Sequence, residues 1–236
     1  MEEPLRDPGI ADGEVARYRG LVGGREAGTG TLRIEHAERD GRSFYRQLVS
    51  MTILGEAEYE LEAHFRRRSG HVLADSYRLV TKHADEPFAE ESARFRGVKT
   101  LQWGGVLEPF PGDLAPLLGC AVMLRGLDFS HGARRGFSVW LANTVHWPVE
   151  ARVEGRETVS IAAGRLPAWP VRVWPSFERV AGPLDALVRM LLPPFRLHFA
   201  EAPPHRFLRF EFPTGPFRWN PHAVIEATAL EGGDAD

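Results

Sequence analysis

The sequence predicts a mainly β fold: an antiparallel sheet curved into a half-barrel or barrel, with two short helices. Two observations carry this. About a dozen short runs are rich in β-branched and aromatic residues, several alternate apolar and polar, and turn dipeptides separate them. Apolar residues recur at helical spacing in two places only. So many strands must close or wrap, because exposed edges invite aggregation.

Residues 1–12, rich in Pro, Gly and Asp, read as a flexible arm; 13–230 read as one β-rich domain and 231–236 as a flexible tail. Glu14 to Val22 is the first strand, ended by Gly23-Gly24, and Thr31 to His36 the second. Gly20 to Gly30 fits no phosphate-binding spacing and reads as a hairpin. Asp40-Gly41 tolerates the positive φ of a tight turn and leads into Ser43 to Ile53. Glu58 to Arg67 has the cleanest period: Tyr59, Leu61, Ala63 and Phe65 alternate with Glu60, Glu62, His64 and Arg66. Ser69-Gly70 joins it to Val72 to Lys82, and Ser92 to Trp103 follows.

Asp113 then reads as the N-cap of a helix through about Leu124. At 11 residues, the apolar run Leu114 to Leu124 is too short to span a bilayer, which needs roughly 20. Cys120 reads as a small core residue. Further strands are expected at Phe137 to Ala142, Val145 to Val153 and Glu157 to Ile161. Trp169 to Phe177 follows, its prolines suiting an edge. Pro183 to Leu192 is the second helix, and Phe195 to Ala200, Arg206 to Phe212 and Ala223 to Leu230 close the fold.

The 236 residues carry a net charge of −3, and the pI is near 6.3, which argues against a nucleic-acid partner. Arginines such as Arg17, Arg33, Arg66, Arg152 and Arg209 scatter along outward strand positions and form no basic face, and Arg134-Arg135 reads as a solvated turn. The start, Met1 to Pro8, is acidic and proline-broken and reads as no signal peptide, so the chain as given reads as soluble and cytoplasmic.

No hydrolase elbow, Walker loop or paired-cysteine motif is present, and nine dispersed histidines suggest no metal site. No metal or cofactor is therefore expected. Arg125 to Gly132 places Asp128 and His131 in one turn. The functional reading is an acid/base pair; the favoured plain reading is a turn whose Asp caps backbone groups. His146 is a further weak catalytic candidate. Six tryptophans are many for this length, and Trp103, Trp140 and Trp147 are the candidate ligand-binding residues. Trp140 alternates with Val139 and Leu141, so it faces solvent, another sheet or a cavity if those two face the core.

The run Gly112-Asp113-Leu114 through Arg125-Gly126-Leu127-Asp128-Phe129, with Gly136 to Val139, Val149 to Val159 and Ala162 to Val171, and Gly13 to Tyr18 with Gly24 to Leu32 as a first hairpin, resembles the bacterial domain-of-unknown-function family 3108. That resemblance implies a lipocalin- or LolA-like curved sheet, envelope association and no catalytic residues. The chain departs from the pattern at Leu166-Pro167 and in its N-terminus.

The leading expectation is a protein binding an apolar or amphipathic small molecule in a cup-shaped sheet. One alternative is a cofactor-free enzyme of the isomerase or cyclase kind, using Asp128, His131 or His146 on an apolar substrate. Another is a structural or partner-binding protein. The oligomeric state is not legible.

Overall fold

The computed structural model describes residues 4–84, 86–101, 107–142, 145–176, 194–215 and 220–232. Among them seventeen strands are placed: β1 (Leu5–Arg6), β2 (Glu14–Val22), β3 (Arg25–Arg39), β4 (Arg42–Ile53), β5 (Ala57–Arg68), β6 (His71–His83), β7 (Glu86–Arg94), β8 (Lys99–Leu101), β9 (Leu107–Pro109), β10 (Leu114–Pro116), β11 (Arg134–Ala142), β12 (Val145–Val153), β13 (Glu157–Ile161), β14 (Gly164–Pro175), β15 (Phe195–Ala200), β16 (Phe207–Pro213) and β17 (His222–Glu231). The short helix α1 (Cys120–Met123) lies between 3-10 turns at Leu117–Gly119 and Leu124–Gly126.

Fifteen strands form one sheet. Its order is β1-β6-β5-β4-β3-β2-β17-β16-β15-β14-β12-β11-β10, with β7 on β6 and β13 on β14. Every pairing in it is antiparallel except β10 with β11. The period-two pattern of β5 does what it predicts: Leu61, Ala63 and Phe65 are buried, and the residues between them face outward or lie at the surface. Asp40-Gly41 and Ser69-Gly70 both adopt positive φ at each position, the geometry that lets a two-residue loop match the strand twist.

Among the described residues, one segment packs into the inside of the curve. The segment from Leu114 to Leu127 runs into it as a plug, with Val122, Met123 and Leu124 almost wholly buried. Gln47 of β4 donates to the Leu118 carbonyl at 2.9 Å, and Gly119 lies so close to Phe65 that a Cβ would come within 2.6 Å of the ring. The two ends of the sheet meet through side chains. Trp140 of β11 donates its indole N–H to the Tyr77 hydroxyl of β6 at 3.0 Å and packs edge-on against Phe95 and Phe110.

The structure corrects several local expectations. The helix expected from Asp113 is reduced to α1 and its flanking turns. Pro116 disfavours the helical region for Ala115, so Leu114–Pro116 extends and pairs with Ser138 to Trp140 instead. Asp113 is buried and caps nothing in α1. The strand expected from Ser92 to Trp103 breaks after Arg94, where Phe95 turns into the core and Gly97 takes a φ of 75°. β14 is no edge strand: β15 lies along one side, and β13 and β12 share the other end to end. Pro170 falls at the changeover between those two, opposite the 154–156 connection, where no ladder bond needs its missing N–H.

Residues 4–12 are docked. β1 pairs with β6, Leu5 and Ile10 are buried, and Tyr45 donates to Asp7 while accepting from the Ile10 N–H. The expected helix from Pro183 to Leu192 lies outside the described residues.

Candidate functional site: a cleft at the barrel seam

The tryptophans are placed separately. Trp140 is 6% exposed, enclosed by Tyr77, Phe95 and Phe110 on the sheet face opposite Val139. Trp147 sits across from Val139 and is half-buried against the core. Trp103 lies outside the described residues. Neither described candidate lines either of the two hollows described below.

The acid/base candidates do not converge. Asp128 and His131 are both exposed and are not hydrogen-bonded to each other. His131 lies beside Gly155, past the end of β12, whereas His146 is buried near that strand's start, against Phe110. At ~3.3 Å per residue the two histidines stand roughly 25 Å apart. Among the described residues no cluster of three or more His, Cys, Asp or Glu is placed to hold a metal ion.

Cys120 is buried in the plug, and burial pushes its thiol up to about 12, far from a nucleophile's range.

A cleft of about 190 Å³ opens instead where the sheet ends approach each other. β1 is one wall, carrying Leu5 inward and Arg6 outward. The other is the start of β11, whose free edge is uncovered there because β10 begins pairing only at Ser138. The floor is Gly126, Leu127 and Asp128 at the end of the plug. Gly126 is required: a Cβ would lie 2.0 Å from the Arg6 carbonyl oxygen, so only a bare α-carbon lets the plug lie against β1. Ala133, Ala151 and Val153 line the cleft together with the basic residues Arg6, His71, Arg134 and Arg135; Arg135 sits beside Ala151 across the β11–β12 pair, and Arg134 lies on the other face of β11. Among the described lining residues Asp128 is the one carboxylate. Arg134 also lines a second hollow of about 140 Å³ with Glu150, Arg152 and Trp174 on the outer face.

The local sequence dictates part of this. Leu5 alternates with Arg6, so pairing β1 to β6 buries the first and exposes the second. Of the lining residues, Asp128 and the Arg134-Arg135 pair stand out in the sequence, the latter as a solvated turn. Arg6 carries no local signal, because its partners across the cleft come from the other end of the sheet.

No family model matches the chain, and no curated protein does. Among solved structures, a β-barrel-like protein of domain of unknown function DUF1849 from Brucella abortus is similar. Its TM-score is 0.50 and its identity 11%, covering 94% of this chain and 98% of that one. An exported protein with a YmcC-like fold from Bacteroides fragilis aligns at TM-score 0.33 and 8% identity, covering 98% of this chain and all of that one. A lipoprotein from Parabacteroides distasonis aligns at TM-score 0.32 and 8% identity, covering 97% of this chain and all of that one. The first likeness shows a β-barrel-like fold and nothing finer; the resemblance to family 3108 is supported at that level alone. No helix among the described residues is long and apolar enough to cross a membrane.

Proposed function

We propose that this β-barrel-like protein binds an amphipathic small molecule, and that the seat is the seam cleft rather than the inside of the curved sheet. One observation supports this above others: a single cleft is lined by both apolar residues, among them Leu127, Ala151 and Val153, and basic ones, among them Arg6 and His71. The plug fills the interior among the described residues, which moves the expected site from the concave face to the seam. At about 190 Å³ the cleft is smaller than the roughly 300–1,000 Å³ of pockets that enclose a whole drug-sized ligand. It suits a polar head and the first few carbons of a chain, with the remainder lying along the outer surface.

Titration of the full chain with eight-carbon amphiphiles tests this reading, with tryptophan fluorescence and melting temperature as readouts. Saturable binding that raises the melting temperature is expected. No response to any amphiphile would overturn the reading.

A further inference from the structure

We propose that one end of the barrel rests on a lipid surface, through large apolar side chains carried at or beside the tips of three hairpins. The surface it fits is a bilayer interface without net negative charge, and the inference stands apart from the seam cleft.

β2, β4 and β6 run in the same direction, so the β2–β3, β4–β5 and β6–β7 turns sit at one end of the sheet. Ile53, Ala57, His83 and Glu86 are successive cross-strand partners along that end. At ~4.8 Å per strand step the three turns spread over roughly 20 Å. Val22 at the first turn is 43% exposed, Ile53 and Leu54 at the second 40% and 74%, and Phe88 just past the third 81%. These are four of the seven large apolar side chains exposed among the described residues; Val98 and Leu107 lie beside or in the β8–β9 pair, and Leu117 in the plug. His71, which lines the seam cleft, is at the other end of β6.

The second turn holds its leucine against local preference. Asp40-Gly41, Ser69-Gly70 and Leu54-Gly55 share the same pair of left-handed backbone positions, the first residue at φ of 53°, 51° and 54°. Such a position suits Asn, Asp or Gly, and a leucine in it is strained. The two turns at the opposite end carry Asp and Ser there, as the geometry favours. Leu54 combines an unfavourable backbone with an apolar side chain left in water. Both cost stability in the isolated chain, and together they mark a surface used in contact with something else.

The mixture at these tips fits lipid. Each apolar tip is flanked in sequence by a charged residue: Arg25, Glu56 or Glu86. A bilayer interface accepts both kinds of group at once, because the headgroup zone solvates charges and turn backbone while apolar side chains reach the acyl boundary. In the three turns Glu56, Asp85 and Glu86 stand against Arg25 alone, so an anionic leaflet would repel this end. A zwitterionic one would not.

Co-flotation of the full chain with phosphatidylcholine vesicles tests this, with phosphatidylglycerol vesicles at equal lipid concentration beside them. Saturable binding to phosphatidylcholine is expected, and binding to phosphatidylglycerol no tighter. Leu54→Asn and Phe88→Ser should each lower the partition about tenfold. Leu54→Asn should do so without lowering the melting temperature, because asparagine suits the left-handed position, which separates lost contact from lost fold. Arg42→Glu, in the turn at the opposite end, should leave the partition unchanged. Absence of binding to phosphatidylcholine, or undiminished binding in the double variant, would overturn the proposal. So would tighter binding to phosphatidylglycerol that fades as salt rises. A lipid-free dimer of the parent that the double variant dissolves would give the same tips to a second copy of the chain and remove the lipid assignment.

Discussion

Arg125 of the plug and Glu14 of β2 meet as a two-pronged ion pair, with Nη1 2.7 Å from Oε1 and Nη2 2.8 Å from Oε2. Both side chains are sealed from water. The remaining nitrogen, Nε, donates to the Pro204 carbonyl at 2.7 Å, so one guanidinium ties the plug, the first long strand and the loop before β16 together.

Removing one partner of a buried pair strands the other charge. Arg125→Met leaves Glu14 with Arg206, whose Nε is 3.4 Å away, as its nearest cation. Urea unfolding at neutral pH should show a loss of about 3–5 kcal/mol. The double variant Glu14→Gln with Arg125→Met should lose less than the two single losses combined, because neither charge is then left alone. A single-variant loss below about 1 kcal/mol would mean that water reaches the pair.

Asp7 latches the chain start. Burial alone would raise its carboxyl, but hydrogen bonds from Tyr45, the Gly9 N–H and Arg67 outweigh that and hold it below the ordinary carboxylate value of 3.8. A carboxyl lowered by folding adds stability above its unfolded value and loses it as pH falls through the folded one. Asp7→Asn should therefore be less stable than the parent at pH 7, with the gap closing below about pH 4. Melting temperatures across pH 2.5 to 7 check this, and a gap that does not change with pH refutes it.

Trp140 closes the seam. Trp140→Ala should cost about 3–5 kcal/mol through the cavity left among Tyr77, Phe95 and Phe110. Trp140→Phe should cost less but leave the Tyr77 hydroxyl without its indole donor. Intact binding of the eight-carbon amphiphiles in the phenylalanine variant would separate this seam role from any ligand contact.

Cys120 should be silent in the native state. Its thiol is buried and pushed up to about 12, so a thiol-disulfide reagent at pH 8 should modify it only as fast as the plug opens. The native rate should fall at least about a hundredfold below that in 6 M guanidinium, and near-equal rates would show the plug to be loose.

What the sequence showed and what it hid divide by distance along the chain. β5 and the turns at Asp40-Gly41 and Ser69-Gly70 were legible because period and turn chemistry are local. The helix at Asp113 failed through a conflict within the same stretch: helical spacing of leucines pointed one way and Pro116 the other, and pairing to β11 decided it. Alternation correctly separated Trp140 from Val139, but which residues cover that face depends on Phe95 and Phe110 arriving from elsewhere. The cleft was hidden for the same reason, since β1 and the start of β11 come to line it only when the sheet curls.

The pairing of β17 with β2 places a strand made about two hundred residues later beside one of the first in the sheet. Strands β2 to β7 follow one another as a meander and can zip locally, yet the Glu14–Val22 edge stays bare until His222–Glu231 has been made. During synthesis that edge is a template for the wrong partner. Chains cut short before β17 should accordingly survive as chaperone clients or aggregates rather than as smaller soluble proteins.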